Sequence, residues 1–417
     1  MSCKITIHRG THQIGGCVTE ITTDTSRIFI DFGSELPGPD GEKPKETLRV
    51  AGLTDSTVPC DGVFFTHTHG DHIGNIGLIP ETVPLFLGAT SQEISLVISQ
   101  RLQKAHDHFP EKFDDQSATI TALNRANTFS MGEKIPAGEF YVTPLRVDHS
   151  AFDSYMFIVE AQGVRILHTG DFRDHGYTGD ELIPALEEYA TDIDWLICEG
   201  TMLSRPNEGA MTEEELQHKA QKLMAGHRHI FVFCSSTNID RIRAFYKAKP
   251  KIMPAVCDAY QRDVLDVVKK FDTTEDDSYH FKYVIPYPEK EYQHNPKLLD
   301  WMEEQGFLMF VRNKDFFREF MEQYRDDCLV IYSMWKGYLE GKAKNQKIVD
   351  FLDGYSYKSL HTSGHATAAA IRKVYDIVKP RKGVIPIHSE APEKIQEILP
   401  IEVTIKLLND KDYLYLN

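Results

Sequence analysis

The chain has 417 residues, of which 41% are apolar and 26% are charged, a composition typical of folded globular proteins. Asp and Glu number 62 against 46 Lys and Arg, and the net charge of −16 argues against nucleic-acid binding driven by overall charge. No run approaches the roughly 18 apolar residues of a membrane span, and the N-terminal residues lack the apolar segment of a signal peptide. We therefore expect a globular protein of two or three domains that does not associate with membranes.

The seven cysteines point to a reducing compartment. Their number is odd, and no two of them have CxxC spacing. Because a disulfide framework needs paired cysteines and a Cys-type zinc site needs closely spaced ones, the sequence predicts neither. We expect a cytoplasmic location.

The first 200 residues have the pattern of short strands that are interrupted by turns and by one long helix. The helix is predicted over 91–108, where Ile94, Val97 and Leu102 recur at helical spacing and Ser91 can serve as the N-cap. Strands are predicted at residues 4–8, 18–22, 27–31, 62–66, 139–147, 155–160, 163–169 and 194–198.

After residue 200, strands alternate with helices, a pattern that indicates a parallel sheet. Thr212 and Glu215 form a capping box that begins a helix ending near residue 225. Strands are predicted at residues 229–234, 252–256 and 328–332, helices at 240–247 and 260–271, and a final set of strands at 383–387, 403–407 and 413–416. The chain is therefore predicted to leave a first domain near residue 200 and to re-enter it near residue 355.

A basic run lies inside the second predicted domain. It comprises Arg241, Arg243, Lys247, Lys249 and Lys251. The ordinary interpretation of such a run is a solvated helix face, and the alternative is part of a binding track for a polyanion.

The strongest chemical signal is a histidine-rich segment at the end of the predicted strand 62–66. The segment His67-Thr68-His69-Gly70-Asp71-His72 places four potential metal ligands within six residues. In an extended backbone His67 and His69 point to the same side, so both can bind one metal ion, whereas Asp71 and His72 can bind a second. Imidazole suits Zn²⁺, and a carboxylate completes a site that keeps positions open for water.

This segment closely resembles the HxHxDH motif of the metallo-β-lactamase superfamily. Three further residues are similar to motifs of that family. Asp31, at the end of a predicted strand, resembles the first motif, whose Asp supports the histidine loop without binding metal. His149 resembles the third motif, and Asp171 resembles the fourth, whose carboxylate bridges two metal ions.

The remaining motifs resemble those of the β-CASP branch of the superfamily, which includes RNase J. Glu199 in Cys198-Glu199-Gly200 resembles motif A of that branch. His365 in Ser363-Gly364-His365-Ala366 resembles motif B, and His388 in Pro386-Ile387-His388 resembles motif C. Together these motifs extend the resemblance over nearly the whole chain.

The resemblance implies an α/β fold in two parts. Residues 1–199 and 356–417 would form the αββα sandwich of a metallo-β-lactamase domain. Residues 200–355 would form an inserted α/β β-CASP domain.

The resemblance also implies a di-zinc centre, in which Mn²⁺ is the alternative metal. One ion would be held by His67, His69 and His149, the other by Asp71, His72 and His388, and Asp171 would bridge the two. A hydroxide that bridges two such ions can attack a phosphodiester in line. Asp71 would be essential to catalysis through the second ion, His365 would protonate the leaving oxygen or clamp the phosphate, and Glu199 would orient His365.

Four serine and asparagine residues are candidates for phosphate binding. Ser235, Ser236 and Asn238 follow a predicted strand at the start of a helix, where amides and hydroxyls can hold a phosphate. Ser363, together with His365, completes this set.

The expected function is that of a zinc-dependent ribonuclease acting on single-stranded RNA. One alternative is a hydrolase of a small phosphodiester or ester, which the acidity of the chain favours. The other is a non-catalytic subunit, against which the complete set of seven candidate ligands argues. The sequence leaves the oligomeric state open.

Overall fold

The computed structural model describes residues 3–36, 47–205, 210–274, 278–287, 295–341 and 343–416. These residues divide into two compact units. The first contains the described residues of Met1–Leu36, Pro44–Gly209 and Gly364–Asn417, and the second contains those of Ala210–Ser363. Among the described helices, none combines the length and the apolar character needed to span a bilayer.

The described residues form strands and α-helices throughout both units. The strands are β1 (Lys4–Arg9), β2 (Val18–Thr22), β3 (Arg27–Ile30), β4 (Gly62–Phe64), β5 (Leu85–Gly88), β6 (Asn127–Phe129), β7 (Ile135–Ala137), β8 (Phe140–Val147), β9 (Ser154–Ala161), β10 (Val164–His168), β11 (Trp195–Glu199), β12 (His229–Phe233), β13 (Ala255–Cys257), β14 (Val284–Pro286), β15 (Phe307–Val311), β16 (Cys328–Tyr332), β17 (Tyr357–Ser359), β18 (Gly383–Ile387) and β19 (Tyr413–Tyr415). The helices are α1 (Gly70–Ile73), α2 (Ala89–His108), α3 (Ser117–Arg125), α4 (Leu182–Tyr189), α5 (Glu213–Met224), α6 (Ile239–Ala248), α7 (Ala259–Phe271), α8 (Pro296–Gln305), α9 (Asp315–Glu322), α10 (Gln346–Leu352) and α11 (Ala368–Val378).

The first unit contains two mixed sheets. One has the strand order β19-β1-β2-β3-β4-β5-β6, antiparallel up to β3 and parallel from β3 onward. The other has the order β18-β11-β10-β9-β8-β7, in which β10, β11 and β18 are parallel. The last strands of the chain therefore pair with strands from its first half.

Alternating side chains build the layers of the first unit. On β3, Ile28 and Ile30 are buried between the two sheets, while Phe29 is buried on the outer face beside α3. On β11, Ile197 faces the space between the sheets, and Leu196 packs on the outer face with α4 and α11. Because each sheet buries both faces, the unit is a four-layered αββα sandwich. The predicted fold class is confirmed.

The second unit is built around one parallel sheet. Its order is β14-β13-β15-β12-β16-β17, and every neighbouring pair is parallel. Phe231, Met309 and Val330 lie in the core beside the helices. The predicted strand–helix alternation after residue 200 is confirmed, whereas the boundaries of the predicted domains, 1–199, 200–355 and 356–417, stay a prediction.

Three details of the sequence interpretation are wrong. Ser91 is not an N-cap, because α2 begins two residues earlier and the Ser91 amide donates to Oδ2 of Asp153 (2.9 Å). Residues 403–407 form no strand, since a single bridge joins Ile405 to Val384. Arg241 belongs to no solvated face or polyanion track, because it is fully buried.

A candidate metal centre at the strand ends of the first unit

Six of the candidate site residues lie at or just beyond the carboxyl ends of strands in the first unit. His67 follows β4, His149 follows β8, Asp171 follows β10, Glu199 ends β11, His388 follows β18 and Asp31 follows β3. Asp71 and His72 lie on the short helix α1. The carboxyl ends of strands from both sheets therefore lie at one site. Short loops after these strands bring residues from distant parts of the chain together.

Three imidazoles face one another at one end of this cluster. Nε2 of His67 lies 3.1 Å from Nδ1 of His69, and Nε2 of His149 lies 3.2 Å from the same atom. Zn–N bonds of about 2.0–2.1 Å in a tetrahedral site place two ligand nitrogens about 3.3 Å apart. The observed separations match this nitrogen–nitrogen distance, so these three nitrogens are spaced as ligands of one ion.

A second group of ligand atoms lies beside the first. Nε2 of His388 lies 3.3 Å from Oδ2 of Asp71, and Nε2 of His72 lies 4.0 Å from the same oxygen. Oδ2 of Asp171 lies 3.1 Å from Nε2 of His72 and 3.9 Å from Nε2 of His67. Asp171 therefore lies between the two groups, and its bridging role stays a prediction.

Buried atoms without hydrogen-bond partners test whether a metal fits here. Nε2 of His72 and both carboxylate oxygens of Asp171 are buried and make no hydrogen bond, although His72 and Asp171 approach each other. Burying such atoms unsatisfied is costly, and native proteins rarely do so without a ligand. The donor set of imidazoles and carboxylates is one that divalent zinc accepts. The residues present therefore fit a metal ion.

The electrostatic environment keeps three of the rings neutral. Burial lowers the pKa of His69 to about 4 and lowers the pKa of His67 and His149 well below their usual value. Only a neutral imidazole offers a lone pair to a metal. These histidines are therefore in the ligating state at neutral pH.

The carboxylates of the cluster are ionised. Burial opposes charge on Asp171, but neighbouring His388 and His72 hold its pKa well below the usual range. Burial likewise opposes charge on Asp71, and the hydrogen bond from His388 lowers its pKa. Burial also opposes charge on His72, yet Asp171 and Asp31 raise its pKa well above the usual value.

Asp31 and Thr66 hold the histidine loop from beneath. Asp31 accepts hydrogen bonds from the Thr66 amide (2.8 Å), from the Thr66 hydroxyl and from Nδ1 of His72 (2.7 Å). Nδ1 of His67 lies 2.9 Å from the Thr66 hydroxyl. With Nδ1 engaged in both rings, Nε2 is directed toward the cluster. Asp31 has φ = 62°, a left-handed conformation that costs roughly 1–3 kcal/mol and is held by this network.

Oxygen acceptors also orient the rings of His149 and His388. Nδ1 of His149 donates to the carbonyl of Gly364 at 2.5 Å. Nδ1 of His388 lies 2.7 Å from the Thr201 hydroxyl, which itself donates to the His388 carbonyl. Each contact leaves Nε2 to face the cluster, and His388 reaches its place with φ = 50°.

A buried ion pair ties the loop of His149 to the loop of Asp171. Nε of Arg173 donates to both oxygens of Asp148, at 3.1 and 3.2 Å, and the Arg173 amide donates to the Asp148 carbonyl. The Gly176 amide donates to the same carboxylate. Since Asp148 precedes His149 and Arg173 follows Asp171 by two residues, this pair sets the distance between the two candidate ligands.

His365 and Glu199 lie at the edge of the cluster. Nδ1 of His365 is 3.3 Å from Glu199 and 3.6 Å from Oδ2 of Asp171. Glu199 is fully buried, and its carboxylate also accepts hydrogen bonds from the amides of Phe172, Thr201 and Ala366. Glu199 therefore fixes three backbone segments as well as facing His365.

The four candidate phosphate-binding residues belong to the second unit. Oδ1 of Asn238 caps α6 by accepting from the amide of Arg241 (3.1 Å). The Ser235 hydroxyl lies 3.1 Å from that of Thr237, and the Ser236 carbonyl accepts from Gln261. Ser363 is the last residue of the unit. The turn is thus a structured helix start, and its phosphate-binding role stays a prediction.

Sequence reasoning missed several residues that position the candidate ligands. They are Thr66, Asp148, Arg173 and Thr201. Thr66 and Asp148 each directly precede a candidate ligand, and Thr201 follows Glu199 by two residues. Their closeness in sequence to candidate site residues could therefore have identified them. Arg173 likewise follows Asp171 by two residues, but the sequence does not reveal its pairing with Asp148, which lies 25 residues away.

Two family models match the chain. Residues 26–232 match a model described as a beta-lactamase superfamily domain, and residues 356–396 match one described as a Zn-dependent metallo-hydrolase RNA specificity domain. The first model includes the histidine loop, and the second includes His365 and His388.

The chain is also similar to curated and solved proteins. Ribonuclease J of Helicobacter pylori strain J99 is 24% identical over 423 residues, which cover 93% of this chain and 56% of that protein. Ribonuclease J of Mycoplasma pneumoniae is 22% identical over 93% of this chain and 68% of its own length. The chain thus spans little more than half the length of the Helicobacter relative. A crystal structure of a protein of unknown function from Enterococcus faecalis V583 shares the fold over both entire chains, with a TM-score of 0.75 and 21% identity.

Proposed function

The chain belongs to the β-CASP branch of the metallo-β-lactamase superfamily, and on that premise we propose that it is a metal-dependent ribonuclease that hydrolyses phosphodiester bonds. The observation that carries the proposal is the convergence of seven imidazole and carboxylate side chains, two of which, His72 and Asp171, have buried atoms that lack hydrogen bonds. The match of residues 356–396 to an RNA specificity domain and the similarity to ribonuclease J support RNA as the substrate.

We assign the ligands to two divalent ions, Zn²⁺ or Mn²⁺. His67, His69 and His149 would hold one ion, Asp71, His72 and His388 the other, and Asp171 both. Separations between ligand atoms of 3.1 and 3.2 Å in the first group and of 3.3 and 4.0 Å in the second support this assignment. Two ions held in this way would supply an activated water and would neutralise charge on a phosphoryl oxygen.

The protein's own side chains would do the remaining work. Asp31 and Thr66 keep the rings of His67 and His72 in the tautomer that binds metal. With Nδ1 of His365 held by Glu199, Nε2 is the nitrogen that would give a proton to the leaving oxygen. In this scheme Glu199 is a positioning residue.

The second unit would contribute to substrate binding. The helix start at Ser235, Ser236 and Asn238 carries amides at the positive end of α6, and Ser363 adjoins the segment that carries His365. Since Oδ1 of Asn238 already caps the helix, its amide group is the part that remains for a phosphate.

Cleavage of a labelled, 5′-monophosphorylated single-stranded RNA tests the proposal. We expect cleavage by the metal-loaded protein, loss of cleavage with chelator, and no cleavage by Asp71→Ala, because that change removes a proposed ligand of the second ion. Asp180→Ala, which removes an exposed carboxylate of the same unit, is the matched control and should cleave normally.

The same assay separates the alternatives. Equal cleavage by the wild type and Asp71→Ala would show a contaminating nuclease and would overturn the mechanism. If RNA stays intact while bis(p-nitrophenyl) phosphate is hydrolysed in an Asp71-dependent way, the substrate is a small phosphodiester, the alternative that the net charge of −16 favours. Metal binding without either activity would indicate a non-catalytic subunit.

A further inference from the structure

Cys17 is fixed by its backbone to the segment that carries the second group of candidate ligands. Its amide donates to the Asp71 carbonyl (3.0 Å), and its carbonyl accepts from the Gly33 amide (3.1 Å). The side chain is 3% exposed. The backbone of Cys17 is therefore held between the segment of Asp71 and the segment that follows β3.

The thiol of Cys17 lies among imidazole nitrogens. Its sulfur, one nitrogen of His72 and one nitrogen of His388 all lie within 4.8 Å of one another, and all three residues are buried. Gly10 closes the other side, since a Cβ there would lie 3.3 Å from the sulfur, while the Gly10 carbonyl accepts from the His388 amide (2.6 Å). Within the described parts of the chain, no other cysteine belongs to such a group.

A second observation points to a ligand at this place. Nε2 of His72 is buried and makes no hydrogen bond, while Nδ1 of the same ring is engaged by Asp31. The ring is therefore held with Nε2 in the interior, 3.1 Å from Oδ2 of Asp171, and one nitrogen of the ring lies within 4.8 Å of the Cys17 sulfur. A metal ion at this place would satisfy the nitrogen and bind the sulfur.

We propose that Cys17 is a further ligand of the second metal ion, together with His72 and His388, and that its sulfur makes this site prefer Zn²⁺ to Mn²⁺. The thiol gives up its proton to solvent when the metal binds, because a coordinating cysteine is a thiolate. Thiolate is a soft ligand that suits zinc, whereas manganese prefers oxygen ligands. The inference rests on the metal centre of the proposed function and extends it to the choice of metal.

Cobalt substitution tests the proposal directly, because a thiolate bound to Co²⁺ gives a charge-transfer absorption band in the near ultraviolet and imidazole or carboxylate ligands do not. The purified full chain is stripped with chelator, reloaded with Co²⁺ and measured for bound cobalt and for absorption. We expect the band in the wild type and in Cys60→Ser, a half-buried cysteine outside the cluster, and its loss in Cys17→Ser. The ratio of Zn²⁺ to Mn²⁺ affinity should fall about tenfold in Cys17→Ser.

The wild-type spectrum alone decides the matter if Cys17→Ser fails to fold. Cobalt bound without the band would overturn the role of Cys17 and leave the proposed ribonuclease intact. A band that survives in folded Cys17→Ser would overturn it as well. Failure to bind cobalt at all would instead remove the metal centre, and with it the proposed function. X-ray absorption of the zinc-loaded wild type should independently show sulfur at about 2.3 Å.

Discussion

Glu199 has contacts beyond its expected role of orienting His365. Its buried carboxylate accepts from three backbone amides, so Glu199→Ala would leave those donors unsatisfied. We expect Glu199→Ala to lower the free energy of unfolding by roughly 2–4 kcal/mol, and Glu199→Gln, which keeps one oxygen acceptor, by about 1 kcal/mol. Urea denaturation of the chelated proteins measures both values. Equal losses in the two variants would contradict the amide-binding role.

We expect a different effect at His365, because this residue lies at the edge of the cluster and is only partly buried. His365→Ala should leave the metal content unchanged and lower the turnover of RNA by roughly 10²–10⁴-fold, the usual loss for a general acid. Elemental analysis and single-turnover cleavage check the two parts. Loss of metal from this variant would instead make His365 a ligand.

The sequence predicted the candidate ligands better than it predicted what holds them. His67, His69, Asp71 and His72 stand in one short segment, so local spacing alone reveals their chemistry. The ion pair of Asp148 with Arg173 and the contact of His388 with Thr201 join segments that are 25 and 187 residues apart. Only the fold brings these partners together, and no spacing rule predicts it.

Helix caps show the same contrast at the level of elements. The capping box of Thr212 and Glu215 is confirmed, because both partners lie within the first turn of α5. The predicted start of α2 at Ser91 is wrong, because the helix begins at Ala89 and the Ser91 amide donates to the Asp153 carboxylate, 62 residues away. A local cap can be read from the sequence, and a distant one cannot.

Helix α11 is tied to the segment beyond Asp171 by an ion pair that responds to pH. Lys373 donates to Asp174 at 2.5 Å. The hydrogen bond from His175 and this ion pair lower the pKa of Asp174 to about 2, from its ordinary 3.8. Because the folded state prefers the ionised group, the stabilisation is complete above pH 3.8 and is lost as the pH falls to about 2.

Asp174→Asn should therefore be less stable than the wild type by about 1–2 kcal/mol at pH 6, and the difference should vanish near pH 2. Chemical denaturation of the chelated proteins at several pH values measures it, with Asp180→Asn as an exposed control. A difference that is independent of pH would assign the effect to packing.

For the whole molecule, the candidate ligands and the two sheets that position them belong to the first unit alone. Zinc at 100 times its dissociation constant stabilises the state that binds it by about 2.7 kcal/mol. We expect zinc to slow hydrogen exchange up to about 100-fold in β10 and β11, with a smaller effect in β12 and β15. Mass spectrometry of proteolytic fragments, with and without chelator, checks this, and equal protection of both units would contradict it.

The pairing of the chain's end with its beginning has a consequence for synthesis. His388 contacts Asp71 from 317 residues further along, and β19 pairs with β1. At about 5–20 residues per second, a ribosome needs roughly 15–60 s to travel between those two ligands. Throughout that interval the nascent protein carries the histidine loop without its last partner. The proposed metal centre is therefore incomplete until His388 has been synthesised, and we expect the proposed cutting activity to begin only after that point.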